Sequence, residues 1–98
     1  MKPQFLYHDK NDNVGVAVVD IKAGEKIVGS WLEDGKQIKL VAKGAIPLGH
    51  KVALSAIKKG GSIMKYGIII GQAKEAIAVG QHVHVHNLKS NRWQNVKI

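Results

Sequence analysis

The stretch Gly80-Gln81-His82-Val83-His84-Val85-His86-Asn87-Leu88-Lys89 sets three imidazoles at every second position, with valines between them. Side chains alternate across an extended strand. His82, His84 and His86 are therefore predicted to share one face, and Val83 and Val85 the other. Same-face neighbours stand about 6.6 Å apart, twice the rise per residue. Two imidazoles at that separation can lean onto one metal ion, whereas three in a row on a straight strand reach a common ion poorly. The pattern nominates His82, His84 and His86 as metal ligands, at most two of them on one ion. The remaining imidazole is left to contact substrate or to carry a proton, which makes His84 and His86 the candidate catalytic groups. Neutral imidazole suits zinc, iron, nickel or copper rather than calcium. No Asp or Glu lies nearby in sequence, so a full coordination sphere calls on His8, His50 or a residue of another chain. The plain alternative is a half-buried strand whose valines face the core and whose histidines simply face water.

Four turns are expected to position that strand. Ile21-x-x-Gly24-x-x-Ile27, Ile46-x-x-Gly49-x-x-Val52, Ile57-x-x-Gly60-x-x-Ile63 and Ile77-x-x-Gly80-x-x-Val83 repeat one pattern at uneven spacing. Uneven spacing excludes a solenoid and leaves a recurring piece of turn chemistry. Glycine adopts a positive φ readily, and the flanking aliphatic residues anchor the chain on each side of the reversal. Gly49-His50-Lys51-Val52 aligns by this pattern with Gly80-Gln81-His82-Val83. Between the turns, "VGVAVVDI", "SIMKYGIIIG" and "HVHVHNL" read as strands. "KIVGSWL" and "KQIKLVAK" flank Asp34-Gly35, the strongest hairpin signal in the chain. Gly29, Gly67 and Gly71 inside apolar runs predict bulges or bends. A helical stripe in "HKVALSAIKK" and a helical turn in "QAKEAIA" compete with strand, and the bracketing turn copies favour strand. The class predicted is all-β, a small and strongly bent sheet or barrel.

The chain has 98 residues, 45% hydrophobic, enough for one domain, 1–98, with a core over about 5–89. The tail 90–98 is read as loosely attached or partner-contacting. There is no cysteine, which removes disulfide frameworks and thiolate zinc sites from consideration. No apolar run approaches the roughly 20 residues that span a bilayer, and no signal peptide is visible, so a cytoplasmic protein is expected. Residues 1–34 hold four lysines and six acids, net −2; residues 35–98 hold ten lysines, Arg92 and Glu75, net +10. A basic face admits nucleic acid, an acidic protein or an anionic small substrate. The lysines are dispersed and only five aromatic residues are present, which counts against base stacking and makes nucleic acid the weaker partner.

Asp12-Asn13-Val14-Gly15-Val16-Ala17, Gly49-His50-Lys51-Val52-Ala53-Leu54, Met64-Lys65-Tyr66-Gly67 and Gly80-Gln81-His82-Val83-His84-Val85-His86-Asn87 occur in that order. In this respect the chain, over about residues 5–89, resembles the SAF-type domain, of β-clip fold, of the altronate dehydratase family, which includes the small subunit of sulfolactate sulfo-lyase. The resemblance implies a non-autonomous small subunit beside a large catalytic lyase subunit. It further implies elimination of water or sulfite β to a carboxylate in a 2-hydroxy acid. It also implies a divalent metal, typically iron, shared with the large subunit. Gln81 departs from the family pattern, which commonly carries Glu there. On this reading His50, Lys51, Lys65, Asn87 and Lys89 are candidate substrate-binding residues, their cations facing carboxylate or sulfonate oxygens. Lys89 reaches such a site only if the chain bends near Asn87. A stand-alone basic binding module and a purely structural subunit, alone or self-associated, are the alternatives.

Overall fold

The computed structural model describes residues 2–90. Each of the four repeated turns closes in the same way. Glu25, His50, Gly61 and Gln81, the residues after the glycine, donate their amides back to Lys22, Pro47, Lys58 and Ala78. The glycines Gly24, Gly49, Gly60 and Gly80 lie at φ 83, 86, 83 and 86°, which is the second central position of a type II turn. Each glycine amide also donates to the carbonyl of a buried alanine: Ala42, Ala17, Ala73 and Ala53 respectively. The eight aliphatic anchors of the pattern are all 5% exposed or less. Burying one such side chain is worth about 1.5–3 kcal/mol, against roughly 1 kcal/mol net for one hydrogen bond. The anchors therefore place each turn, and the glycine–alanine bonds orient it.

The strands run β1 Phe5–Tyr7, β2 Val14–Ala17, β3 Lys26–Trp31, β4 Gln37–Val41, β5 Lys51–Ala53, β6 Ser62–Lys65, β7 Ile68–Ala73, β8 His82–Val83 and β9 Leu88–Ser90. One sheet has the order β4-β3-β1-β2-β5-β8 and a second the order β6-β7-β9. Only β1 and β3 pair in parallel; the other neighbours are antiparallel. Isolated bridges join Ile21 to Ile46 and Ile57 to Ile77, so the turn copies couple in two pairs. The first pair anchors a core around Phe5, Ile27, Ile46 and Val52; the second anchors one around Val14, Ile57, Ile63, Ile77 and Val83. The expected all-β class holds, and neither competing helix forms among the described residues.

Several boundaries differ from expectation. β2 stops at Ala17: Val18 still donates to the Gln4 carbonyl in register with β1, and the chain then leaves for the Ile21 bridge. Gly29 makes no bulge; an added Cβ there would collide with the Phe5 ring, so glycine is needed for close packing of the ring on β3. Gly67 forms the hairpin between β6 and β7, while the predicted irregularity falls opposite Ile70, beside Gly71. "HVHVHNL" is not one strand: β8 ends at Val83 and β9 begins at Leu88. The tail expectation lies outside the described residues from 91 onward.

Asp12 ties the β1–β2 connection to the β6–β7 hairpin. Its side chain is 9% exposed and accepts from the amides of His8, Asp9 and Gly67 at 3.1, 3.0 and 2.8 Å. Burial alone would raise its pKa, but the backbone donors outweigh it and hold the carboxyl below its usual range. The unfolded chain therefore binds the proton more readily. The stabilisation is present above the unfolded value of 3.8 and is lost as pH falls through the lower folded value. Asp12→Ala, which orphans these donors, is expected to destabilise by about 2–3 kcal/mol at neutral pH. In urea titrations the gap to wild type should narrow toward pH 3. A gap of the same size at both pH values would show that the carboxylate charge contributes nothing.

Candidate functional site

β5 and β8 are antiparallel neighbours, with Lys51 opposite Val83 and Val52 opposite His82. Each strand leaves one of the repeated turns, so the residues just after Gly49 and Gly80 are carried to the same place. His50 Nδ1 lies 2.9 Å from His82 Nε2. One of the two nitrogens must carry a proton for that contact to be a hydrogen bond; a bound ion would take both lone pairs instead.

The chain then reverses. Asn87 is fully buried and its amide has no outlet but local backbone. Its Oδ1 accepts from the His84 amide at 2.9 Å and its Nδ2 donates to the His82 carbonyl at 2.9 Å. The amides of Asn87 and Leu88 both return to the His84 carbonyl. An asparagine that satisfies backbone groups within its own turn competes with a sheet ladder, and here it wins. The valine alternation breaks accordingly: Val83 is buried and Val85 is 68% exposed. His84 folds back over His50, ring centroids 4.2 Å apart, and lies 5.6 Å from His82. His86, exposed, keeps its ring 5.2 Å from that of His82.

One nitrogen from each of His50, His82 and His84 falls in a group spanning no more than 4.8 Å. Two nitrogens each about 2.1 Å from one ion stand at most about 4.2 Å apart, so a modest rotation of the rings closes the set. Burial, then the nearby charges of His50, His86, His84 and Lys51, pushes the His82 pKa down. Burial, then His50, Lys51 and His86, does the same for His84. Both rings therefore favour the neutral form, which offers a lone pair to a metal. Nδ1 of His84 is buried and has no hydrogen-bond partner, which is uncommon for a buried polar atom. Three convergent imidazoles, one with an orphaned nitrogen, fit a borderline divalent ion such as iron or zinc. They do not fit calcium or magnesium, which require oxygen ligands.

The other nominated residues divide. Lys51 is half-buried at the rim; burial and then the Lys65 ammonium lower its pKa. Neither lysine forms an ion pair among the described residues, where Lys36–Asp34 is the one salt bridge. Asn87, expected at the substrate, has its side chain committed to the turn and acts as a positioning residue. Lys89 is exposed on β9 opposite Gln72, and its charge is not among those acting on His82 or His84. The bend near Asn87 exists, but it delivers Lys89 to the second sheet. His8 lies edge-on to Tyr66 rather than in the imidazole group. Gln81 accepts from the Ala78 amide at 3.0 Å, as Glu25 does from Lys22, so its work is closing the turn and needs no charge. The expectation from the alternation alone had grouped His82, His84 and His86. The turn alignment carried the signal for His50, since copies two and four become neighbours once β5 and β8 pair.

Comparison with known proteins agrees with this architecture. The family model for the altronate/galactarate dehydratase SAF domain matches residues 3–91. The chain is 38% identical over 94 residues to (2R)-sulfolactate sulfo-lyase subunit alpha of Chromohalobacter salexigens, covering 95% of this chain and 100% of that protein. It is 48% identical over 60 residues to the protein of the same name from Paracoccus pantotrophus, covering 61% of this chain and 90% of that protein. To altronate dehydratase of Bacillus subtilis it is 41% identical over 87 residues, 89% of this chain but 16% of that much larger protein. With the family pattern matched across nearly the whole chain and a relative of the same size aligned end to end, this protein belongs to the altronate/galactarate dehydratase SAF-domain family.

Proposed function

We propose that this chain is the small subunit of a two-component hydroxy-acid lyase, and that His50, His82 and His84 hold a divalent ion, iron by preference, where the two subunits meet. The observation that carries the reading is the convergence of three imidazoles with the orphaned His84 Nδ1, on a chain whose full-length relative is named as one subunit of a lyase. Elimination β to a carboxylate requires removal of the α-proton, protonation or release of the leaving group, and stabilisation of enediolate charge. His50, His82 and His84 would hold the ion, which would supply Lewis-acid charge to the anionic substrate. Lys51, which has no carboxylate partner among the described residues, binds and orients anionic oxygens of the substrate. His86, exposed beside His82, exchanges protons with solvent. The donor set lacks carboxylates, so the large subunit contributes the α-proton base and the remaining ligands.

The test is reconstitution with a large lyase subunit of this family. Elimination from (2R)-sulfolactate and from altronate is measured for each subunit and for the pair. Turnover is expected only from the pair; a large subunit fully active by itself would overturn the reading. Metal retention should also follow pH. Because the His82 and His84 pKa values are lowered, both rings stay neutral somewhat below the ordinary value of 6.5. Bound iron or zinc, read by atomic absorption after dialysis, should persist at pH 6.5 and be lost on further acidification. Retention that is flat down to pH 4 would exclude imidazole ligation.

A further inference from the structure

Tyr66 is the only non-glycine residue with a positive φ among the described residues, at 55°. It and Gly67, at 75°, form the two-residue turn between Lys65 and Ile68. Such turns favour Asn-Gly, because asparagine tolerates the left-handed region that a bulky side chain resists. Tyrosine here receives little in return from the fold. Its side chain is 47% exposed and its hydroxyl makes no hydrogen bond among the described residues. Its ring meets the edge of His8, at 5.4 Å, and the Lys65 ammonium, at 5.2 Å from the centroid. The strained turn is nonetheless fixed from beneath, where buried Asp12 accepts from the Gly67 amide. Ile68, paired across the hairpin with Lys65, is 65% exposed. A strained, rigidly held aromatic presented to solvent beside an exposed isoleucine has the character of an interface anchor.

We propose that the β6–β7 hairpin tip, Tyr66 with Ile68, is a docking knob that enters an apolar, carboxylate-rimmed pocket on the large lyase subunit. The proposal rests on the two-component reading. Charge complementarity specifies the rim. Lys65 lies over the Tyr66 ring and has no acid partner among the described residues. The apolar Ile68, paired with Lys65 across the hairpin, suits a protein pocket rather than a phosphate backbone, which would call for further cations in its place.

Tyr66→Asn separates docking from folding, since asparagine suits the turn better than tyrosine. The melting temperature of the variant should hold or rise by about 4–8 °C. Its dissociation constant for the large subunit, by isothermal titration, should weaken at least about tenfold. Turnover of the saturated complex should be unchanged. Wild-type affinity in Tyr66→Asn would overturn the proposal. So would a fall in melting temperature with affinity retained, because the ring would then be internal packing. If Tyr66→Asn fails to fold, Ile68→Thr, which keeps strand preference, is read by the same titration with the same expected loss. Wild-type assembly without turnover on either acid would sink the lyase reading and leave the docking surface standing. Turnover with an unaffected Tyr66→Asn complex would do the reverse. Absence of any wild-type complex would overturn both.

Discussion

His84→Ala is expected to reduce iron or zinc retention by this chain, and turnover of the assembled pair, by at least about a hundredfold each. The reason is geometric. His84 supplies the one imidazole whose Nδ1 is buried without a partner, and its ring lies against His50 at 4.2 Å. Its backbone groups are held by Asn87 and Leu88 regardless of the side chain, so the turn should survive truncation. His84 is not part of the buried core, so the melting temperature should change little. The parallel change His86→Ala removes an exposed ring outside the group of three and should cost about tenfold or less in turnover, with metal content preserved. Equal metal content and equal turnover in wild type and His84→Ala would remove the imidazole group from the mechanism. A variant that keeps its metal but loses turnover would make His84 a proton carrier instead.

Much of the positioning was legible in the residues. The four glycine turns are visible as a repeated pattern because turn chemistry is local: a positive φ at glycine and aliphatic anchors three residues on either side. Asp34-Gly35 announced the β3–β4 hairpin for the same reason. The strict alternation from His82 to His86 misled, because period 2 is also what a tight turn shows when a buried asparagine is its hub. Only Asn87, read as the buried residue of its turn rather than as part of the strand, distinguishes the two. The entry of His50 required knowing that β5 pairs with β8, a contact between residues about thirty positions apart that no local pattern encodes. The alanines that receive the glycine amides were invisible for a similar reason. Alanine is unremarked in a strand until another backbone must approach it closely. Tyr66 went the other way: its identity is plain, but its cost appears only with its φ.

Gly80→Ala is the change expected to damage the molecule most, and it tests whether the repeated turns are equivalent. Gly49 and Gly80 share φ 86°, the same turn and the same bond to a buried alanine. They differ in surroundings. Nothing lies within 4 Å of a Cβ built on Gly49, whereas one built on Gly80 would collide with the Val41 carbonyl oxygen. Gly80 cannot move aside, because its amide is bonded to Ala53 and its carbonyl to the Lys43 amide. Gly49→Ala should therefore cost only the left-handed strain, about 1–2 kcal/mol. Gly80→Ala adds a backbone collision with no flexible side chain to yield, and the total should exceed about 4 kcal/mol. Urea titration of both variants checks the contrast; equal losses would show that β4 is not held against the fourth turn. The consequence reaches the imidazoles, since the turn at Gly80 aims His82 at His50. Metal retention should thus fall with folding in Gly80→Ala, yet persist in Gly49→Ala wherever that variant remains folded.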